Sequence, residues 1–507
     1  MMLAATAFGL AWAGSLGIER FGTERNAPRI VPSSLAPRLL MVSSLFAVWL
    51  GLFRRPLLAA FATLVTIAVL TAISVRKRQL VGEPLVFSDF GLLRTIVRHP
   101  DLYYLGFMRD PRFGGGVLAI AVGAGAWIWL EPPLLAPVPG LAITVASLAG
   151  MATVWRLAGW TPVAARLARW IPEPALEAHV GGWGLLLTLA AYALRWRGEI
   201  ARPVHREAFT EEMSDEGGPP TVVIVVQLES FTDPVRSGLG TDPLPGLRRA
   251  QALARFYGPL AVPTHGAFTM RSEHEVLTGL SGRSGFRGFD PYLSRAGHVP
   301  TTLASDLKAL GYRTVFMHPF RAGFFNRDVV LPRLGFDEFL WEQNFAAAAR
   351  YGPYVSDPAL ADRVLAELRS SPGRPTFIMA VTMENHGPWS EGRLPDEPDP
   401  TRQYLRHLAN ADQAISRLIE GLSRQDEPCL LCLYGDHPPI LPGRSPAPVP
   451  ETEYAVLEFG PLASTRAPRQ VSLSTDALGR LVRALALGRT PPNSAETGEE
   501  RAQPCPT

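Results

Sequence analysis

The stretch "TVVIVVQLES", residues 221–230, is an apolar run that ends in a carboxylate. Its length and its β-branched residues are typical of a strand that is buried on both faces of a sheet. Similar runs lie at 313–318, 376–383 and 429–435. Segments with helical spacing and caps separate them, among them "DPALADRVLAELRS". This alternation predicts an α/β domain with a mainly parallel sheet covered by helices.

Polar residues follow each of these four runs. They are Glu229, His318, the pair Asn385 and His386, and the pair Asp436 and His437. A single histidine at a strand end more often has a structural role. Four strand ends with polar residues instead indicate a site, because ligands bind beyond the carboxyl ends of parallel strands. Carboxylate oxygens with an imidazole suit Mn²⁺, Zn²⁺ or Mg²⁺. We therefore expect a divalent-cation site at this edge of the sheet.

The N-terminal part of the chain is far more apolar than the rest. Five of its apolar runs approach the ~20 residues that a membrane-spanning helix needs: 2–17, 38–53, 56–74, 115–131 and 137–155. A signal peptide explains the first run alone, and a sixth candidate lies at 181–194. No run after Thr221 is long enough to span a bilayer. The sequence predicts a helical transmembrane bundle followed by the α/β domain.

The expected domain boundaries follow from these composition changes. They are a transmembrane domain of five or six spans at 1–195, a linker at 196–218, the catalytic domain at 219–487 and a disordered tail at 488–507. Arginines cluster between the third and fourth runs, so the positive-inside rule places that loop in the cytoplasm. The α/β domain then faces outward only if 181–194 crosses the membrane. If that segment lies on the interface, the count is five and an outward-facing domain violates the arginine bias, so the orientation stays open.

Charge and cysteine content exclude two classes of protein. The net charge is +3, from 49 basic and 46 acidic residues, so we expect no nucleic-acid partner. Three cysteines are too few for a disulfide framework. Cys429 and Cys432 form a CxxC pattern within a predicted strand, where residues three apart point to opposite faces. We interpret them as packed thiols, and Cys505 in the tail as an accessory thiol.

The segment "TMRSEHEVLTG", residues 269–279, opens on Thr269, which could be a helix cap or a nucleophile. It resembles the sulfatase signature Cys-x-Pro-Ser-Arg-x-x-x-Leu-Thr-Gly at Ser272 and at the Leu-Thr-Gly end, 277–279. It differs where sulfate chemistry resides, because Thr269, Arg271 and Glu273 replace the Cys, Pro and Arg. Threonine cannot be converted to formylglycine.

Together with this segment, the domain resembles the lipoteichoic acid synthase group of phosphoglycerol transferases, in the alkaline phosphatase and sulfatase superfamily. The resemblance covers about residues 221–485 and rests on "LESF" (228–231), "FFNRD" (324–328), "NHGPW" (385–389) and "YGDH" (434–437). It implies an alkaline phosphatase-like fold and an unmodified threonine nucleophile. It implies metal ligation by Glu229, Thr269, Asp436 and His437. It further implies headgroup binding by His318, Arg327 and His386.

These residue types suit phosphoryl transfer. A threonine hydroxyl is a poor nucleophile at neutral pH, and coordination to a cation favours its alkoxide. Arg327 can grip a phosphate bidentately, and His318 or His386 can carry a proton. Amides at the start of the predicted helix favour an anion. The metal-ligand set favours the nucleophile role for Thr269, although a capping role stays open.

The sequence therefore predicts a multi-pass enzyme of the bacterial cytoplasmic (inner) membrane with an extracytoplasmic, periplasmic catalytic domain. We expect one divalent cation, Mn²⁺ first, with Mg²⁺ or Zn²⁺ as alternatives. The enzyme would move phosphoglycerol from phosphatidylglycerol through Thr269 to an envelope glycan or polymer and release diacylglycerol. One alternative is a phosphoethanolamine transferase acting on lipid A or glycan. A more distant one is a non-catalytic headgroup-binding sensor.

Overall fold

The computed structural model describes residues 2–22, 30–91, 111–201, 218–241, 243–282, 285–293, 301–444, 449–463 and 467–489. The chain divides into two units, Met1–Arg202 with Ser284–Phe289, and Pro203–Arg283 with Asp290–Thr507. We call them the helical unit and the sheet unit. Most of the predicted linker, at 202–217, and the tail from 490 onward lie outside the described residues.

The helical unit consists mainly of apolar helices. In its described part they are α1 (Met2–Phe21), α2 (Leu35–Phe53), α3 (Pro56–Val81), α4 (Pro111–Leu130), α5 (Pro137–Ala158), α6 (Thr161–Trp170), α7 (Leu176–Trp183) and α8 (Leu185–Ile200). Within the described ranges, four segments are long and apolar enough to cross a membrane: Met2–Phe21, Pro32–Phe53, Pro56–Val81 and Pro137–Ala158. The apolar part of α4, Gly114–Leu130, is shorter.

The sixth predicted span does not correspond to one helix. The segment 181–194 is divided at Gly184, whose φ of 83° separates α7 from α8. Helix α8 has 16 residues and ends at Ile200, inside the predicted linker. That this segment crosses the membrane stays a prediction.

Buried carboxylates in the helical unit have structural partners. Glu19 accepts a hydrogen bond of 2.7 Å from the backbone N–H of Leu186 and pairs with Arg38. Glu131 accepts from the N–H groups of Leu57 and Leu58 at 2.8 and 2.9 Å. Each carboxylate therefore caps the first turn of a helix, where amides have no intrahelical acceptor.

The sheet unit is built on a nine-stranded sheet. Its strands, with two that form a separate hairpin, are β1 (Val222–Leu228), β2 (Ala254–Ala261), β3 (Arg313–Met317), β4 (Glu338–Leu340), β5 (Arg350–Tyr351), β6 (Tyr354–Val355), β7 (Thr376–Val381), β8 (Cys429–Gly435), β9 (Glu451–Phe459), β10 (Arg469–Gln470) and β11 (Leu473–Ser474). Across the described residues, the sheet order is β10-β2-β9-β8-β1-β7-β3-β4, with β11 paired to β2 and β5 paired to β6.

The four strands predicted from the sequence are neighbours at the centre of this sheet. Strands β8, β1, β7 and β3 are parallel, and nearly all of their residues are fully buried. Strand β9 runs antiparallel between β8 and β2. The sequence pattern does not predict β2 or β9. Strand β2 alternates buried and half-exposed residues and contains a proline, so it is not a continuous apolar run.

Helices cover the sheet. They are α9 (Pro245–Leu253), α10 (Thr269–Thr278), α11 (Leu303–Ala309), α12 (Arg327–Val330), α13 (Asp357–Arg369), α14 (Pro400–Leu422) and α15 (Thr475–Ala486). The side chain of Asp399 caps α14 by accepting from Arg402 N at 2.8 Å. Tyr404, Leu408 and Ile415 on α14 pack with strand residues in one apolar core. This core holds the central strand ends in place.

Candidate active site

Strand register brings the first and last predicted ligands together. Leu228 of β1 lies opposite Gly435 of β8, so Glu229 and Asp436 leave the sheet side by side. The turn after β1 requires a left-handed residue, and Ser230 supplies it with a φ of 51°. Gly435 has no space for a side chain, because a Cβ there would lie 2.2 Å from the carbonyl oxygen of Phe231. The backbone therefore forces the two carboxylates into one small volume.

Glu229, Asp436 and His437 form a cluster whose ligand atoms all lie within 4.8 Å of one another. Nε2 of His437 is 3.5 Å from Oε1 of Glu229 and 3.3 Å from Oδ2 of Asp436. All three side chains are buried. Oδ1 of Asp436 accepts from the N–H groups of Ser230 and His437, each at 2.8 Å.

The electrostatics of this cluster favour a bound cation. Burial raises the pKa of Glu229 well above its ordinary value, and the neighbouring Asp436 carboxylate raises it further. Burial also raises the pKa of Asp436. Oδ2 of Asp436 is buried and has no hydrogen-bond partner among the described residues. Two crowded carboxylates and an imidazole are a donor set that fits a divalent cation.

Thr269 lies against this cluster. It is the first residue of α10, and its hydroxyl hydrogen-bonds to the Asp436 carboxylate. The N-cap of the helix is Phe268, which has a φ of 62° and makes no side-chain cap hydrogen bond. The Thr269 hydroxyl is therefore directed to the carboxylates and is not the cap of the helix.

Ser272 and Glu273, the other polar residues of this signature segment, have separate structural roles. The Ser272 hydroxyl donates to the backbone oxygen of Asp436 at 2.7 Å, which ties α10 to the end of β8. Glu273 is fully buried and pairs with Arg327, with 2.6 Å between Oε2 and Nη2. Tyr292 donates its hydroxyl to Oε1 of Glu273 at 2.8 Å. Glu273 therefore orients Arg327, whose charge also lowers the pKa of Glu229.

His318 follows β3 and is held in one tautomer. Its Nδ1 is 3.0 Å from the backbone oxygen of Val381, which can only accept, so Nδ1 carries the proton. Its Nε2 is buried and has no partner among the described residues. Burial, and then the charge of Arg327, hold the pKa of His318 well below its ordinary value. The ring is neutral and presents a lone pair at Nε2.

His386 has the same character. Its Nδ1 lies 2.6 Å from the backbone oxygen of Gly387, which leaves Nε2 as the basic nitrogen. Burial lowers its pKa to about 4. After burial, which is the main cause, protonation of His437 would lower the pKa of His386, and protonation of His386 would lower that of His318. Asn385 accepts from Trp389 Nε1 at 3.1 Å.

Several buried groups around the site escaped the sequence analysis. Thr382 follows β7, and its Oγ1 accepts from Glu229 N at 2.9 Å, which fixes the backbone of that predicted ligand. Asp357 and Glu384 are buried carboxylates, and Glu384 Oε2 accepts from Asp357 N at 2.8 Å. Burial and the charge of Glu384 raise the pKa of Asp357 well above its ordinary value. Asp357 opens a helix, so its sequence pattern resembled that of an ordinary cap.

Comparison with known proteins identifies the family of this chain. The sulfatase family profile matches residues 221–456. The capsular polysaccharide biosynthesis protein RkpI of Rhizobium meliloti is 31% identical over 451 residues, which cover 85% of this chain and 82% of RkpI. This chain belongs to the sulfatase family. Its fold is that of the alkaline phosphatase superfamily, as the sequence predicted.

Two solved structures are similar to about half of this chain. The phosphoglycerol transferase GacH of Streptococcus pyogenes, in complex with sn-glycerol-1-phosphate, is 22% identical with a TM-score of 0.44, over 55% of this chain and 78% of that one. The lipoteichoic acid synthase LtaP of Listeria monocytogenes is 21% identical with a TM-score of 0.42, over 53% of this chain and 72% of that one.

Proposed function

We propose that this sulfatase-family protein is a membrane-bound phosphoglycerol transferase. It moves phosphoglycerol from phosphatidylglycerol to an extracytoplasmic glycan or polymer and releases diacylglycerol. The observation that carries the proposal is the Thr269 hydroxyl on the Asp436 carboxylate, at the start of a helix and beside Glu229 and His437. A hydroxyl so placed is a nucleophile for phosphorus.

Glu229, Asp436, His437 and the Thr269 hydroxyl would hold one divalent cation, Mn²⁺ first. When bound, it favours the deprotonated threonine oxygen and polarises a phosphoryl oxygen. In the first half-reaction the bond from Thr269 Oγ to phosphorus forms. The bond from phosphorus to the diacylglycerol oxygen breaks, and that oxygen takes up the proton that the Thr269 hydroxyl loses. Amides at the N-terminus of α10 favour the phosphate anion.

The two neutral imidazoles give the headgroup its contacts. Nε2 of His318 and Nε2 of His386 accept hydrogen bonds, so they suit the hydroxyls of a glycerol headgroup. In the second half-reaction an acceptor hydroxyl gives its proton to one of these rings and attacks phosphorus. The bond between Thr269 Oγ and phosphorus breaks, and Thr269 Oγ takes up the proton that the ring received. Arg327, oriented by Glu273, contributes positive charge near the phosphate.

The acceptor is an envelope polysaccharide in this proposal. RkpI, which resembles this chain over most of both sequences, is named as a capsular polysaccharide biosynthesis protein. Apolar helices in the helical unit give access to a lipid donor, with the sheet unit on the outer side of the cytoplasmic membrane.

Identification of the lipid product tests this function. The purified full-length chain in liposomes, with Mn²⁺, should convert phosphatidylglycerol to diacylglycerol, as measured by mass spectrometry. Thr269→Ala is the matched negative control, because it leaves the Phe268 cap in place. Diacylglycerol formed from phosphatidylethanolamine instead would establish the phosphoethanolamine transferase alternative. Tight headgroup binding with no turnover of either lipid would establish the sensor alternative.

A further inference from the structure

A buried polar network lies behind the loop that carries His386. The loop follows β7 and has no regular secondary structure between residues 384 and 393. Its carbonyl groups converge on one guanidinium. Arg393 donates from Nη2 to Glu384 O at 2.6 Å, from Nη1 to Pro388 O at 3.2 Å, and from Nη1 to His386 O.

The fourth partner of Arg393 is His407, and this contact shows which ring nitrogen of His407 carries the proton. Nε of Arg393 lies 3.1 Å from Nε2 of His407, a fully buried residue of α14. Arginine nitrogens only donate, so Nε2 of His407 accepts and its Nδ1 carries the proton. That Nδ1 donates to Oε1 of Glu384 at 2.9 Å. His407 therefore connects the guanidinium to the carboxylate as a neutral ring.

Glu384 anchors this network in the core. Its Oε1 also accepts from Nδ2 of Asn410 at 2.7 Å, and its Oε2 accepts from Asp357 N at 2.8 Å. The carboxylate is fully buried and thus connects α13 and α14 to the loop. Such a network is rigid when all of its members are satisfied.

We propose that Arg393 is a positioning residue for His386. Its planar guanidinium donates to three carbonyl groups of the loop. These hydrogen bonds fix the loop backbone and therefore the position of Nε2 of His386. Arg393 does not touch the substrate, and it acts through His386. The proposal rests on the proposed function, in which His386 contacts the headgroup or the acceptor hydroxyl.

Two measurements on the full-length chain test this role. The first is hydrogen exchange of the peptide that spans residues 383–393, which needs no substrate. Arg393→Met should raise exchange there and leave strand β1 unchanged. Arg406→Met is the matched control, because Arg406 pairs with Asp396 in the same region but is 38% exposed. Unchanged exchange in Arg393→Met would overturn the proposal.

The second measurement is turnover of fluorescent phosphatidylglycerol in a double-mutant cycle. Arg393→Met should lower kcat by about 10²-fold, the effect expected when a reacting group is misplaced by ~1 Å. The double variant with His386→Gln should be no slower than His386→Gln alone, because both changes disrupt one function. Arg393→Lys keeps the charge but not the fork, and should recover only part of the activity.

Multiplicative losses in the double variant would contradict positioning through His386, as would a kcat for Arg393→Met within twofold of wild type. If the wild-type chain turns over no phosphatidylglycerol, the proposed function fails. The exchange measurement then decides the positioning role by itself.

Discussion

Two buried carboxylates of the helical unit, Glu19 and Glu131, and two of the sheet unit, Glu229 and Asp436, differ in their partners. Glu19 and Glu131 are each occupied by an arginine or by backbone amides at the start of a helix. Glu229 and Asp436 lie against each other, and Oδ2 of Asp436 has no hydrogen-bond partner among the described residues. All four carboxylates are buried. A buried carboxylate whose oxygens all have hydrogen-bond or charge partners indicates a structural role. Buried carboxylates that lie against each other and lack some hydrogen-bond partners indicate a ligand-binding site.

Glu229→Gln gives the largest expected effect on function. The substitution removes one of few charged ligands, so activity should fall by at least about 10³-fold, equivalent to several kcal/mol of transition-state stabilisation. Bound Mn²⁺, measured by elemental analysis, should fall as well. Thermal unfolding in chelator should stay at or above the wild-type midpoint, because the change relieves repulsion with Asp436. A variant that retains metal and activity would show that Glu229 is no ligand.

Glu19→Gln should have the opposite outcome. It leaves Arg38 buried without a charge partner, and loss of one partner of a buried pair typically costs about 3–5 kcal/mol. The unfolding midpoint of the helical unit, followed by tryptophan fluorescence, should fall. Turnover per folded molecule should not change. The matched control is Glu177→Gln, whose pair with Arg78 is 52% exposed on the glutamate side and should contribute less than about 1 kcal/mol. Equal effects of the two substitutions would contradict this interpretation.

The sequence revealed the metal-ligand candidates because of one topological rule. Parallel strands at the centre of a sheet are continuous apolar runs, and their carboxyl ends meet, so Glu229, His318, His386 and Asp436 could be placed together. The domain boundaries and the roles of these residues stay predictions.

The remaining features depend on tertiary packing. Strand β9 is paired on both sides but carries glutamates at its start, so it lacked the pattern of a buried strand. Glu384 and Arg393 lie nine residues apart in one loop and His407 lies on a helix, and no short motif contains all three. The N-cap of α10 is Phe268, which has a left-handed conformation and precedes Thr269 by one residue. Sequence spacing alone contains none of this information.

For His407 we expect a smaller effect, on the pH dependence of the free energy of unfolding. Burial lowers its pKa from the ordinary value of 6.5, although the carboxylate of Glu384 opposes the shift and Arg393 adds to it. The unfolded chain therefore binds this proton at a higher pH than the folded chain does. The free energy of unfolding should decrease as pH falls below 6.5, and less steeply in His407→Gln. Parallel profiles from pH 7.5 to pH 5 in urea titrations would show that the ring does not titrate as described.

The smallest expected effect concerns the thiols of β8. Cys429 and Cys432 are fully buried, and burial raises the pKa of both thiols. N-ethylmaleimide at pH 7 should label neither residue in the native chain and both in guanidinium, as measured by peptide mass spectrometry. Replacement of both by alanine should leave turnover within about threefold of wild type. Rapid native labelling would indicate that the central sheet opens, unlike the packed strand described here.

Trapping of the covalent intermediate tests the central claim most directly. The full-length chain is incubated with headgroup-labelled phosphatidylglycerol and Mn²⁺, quenched in acid and digested. One phosphoglycerol mass should appear on the peptide that contains Thr269, and Thr269→Ser should retain some turnover because it keeps the hydroxyl. Thr269→Ala should carry no label and show no turnover, while its stability changes by only about 1 kcal/mol, the usual contribution of one hydrogen bond. Robust turnover by Thr269→Ala, or label on another residue, would contradict the assignment of Thr269 as the nucleophile.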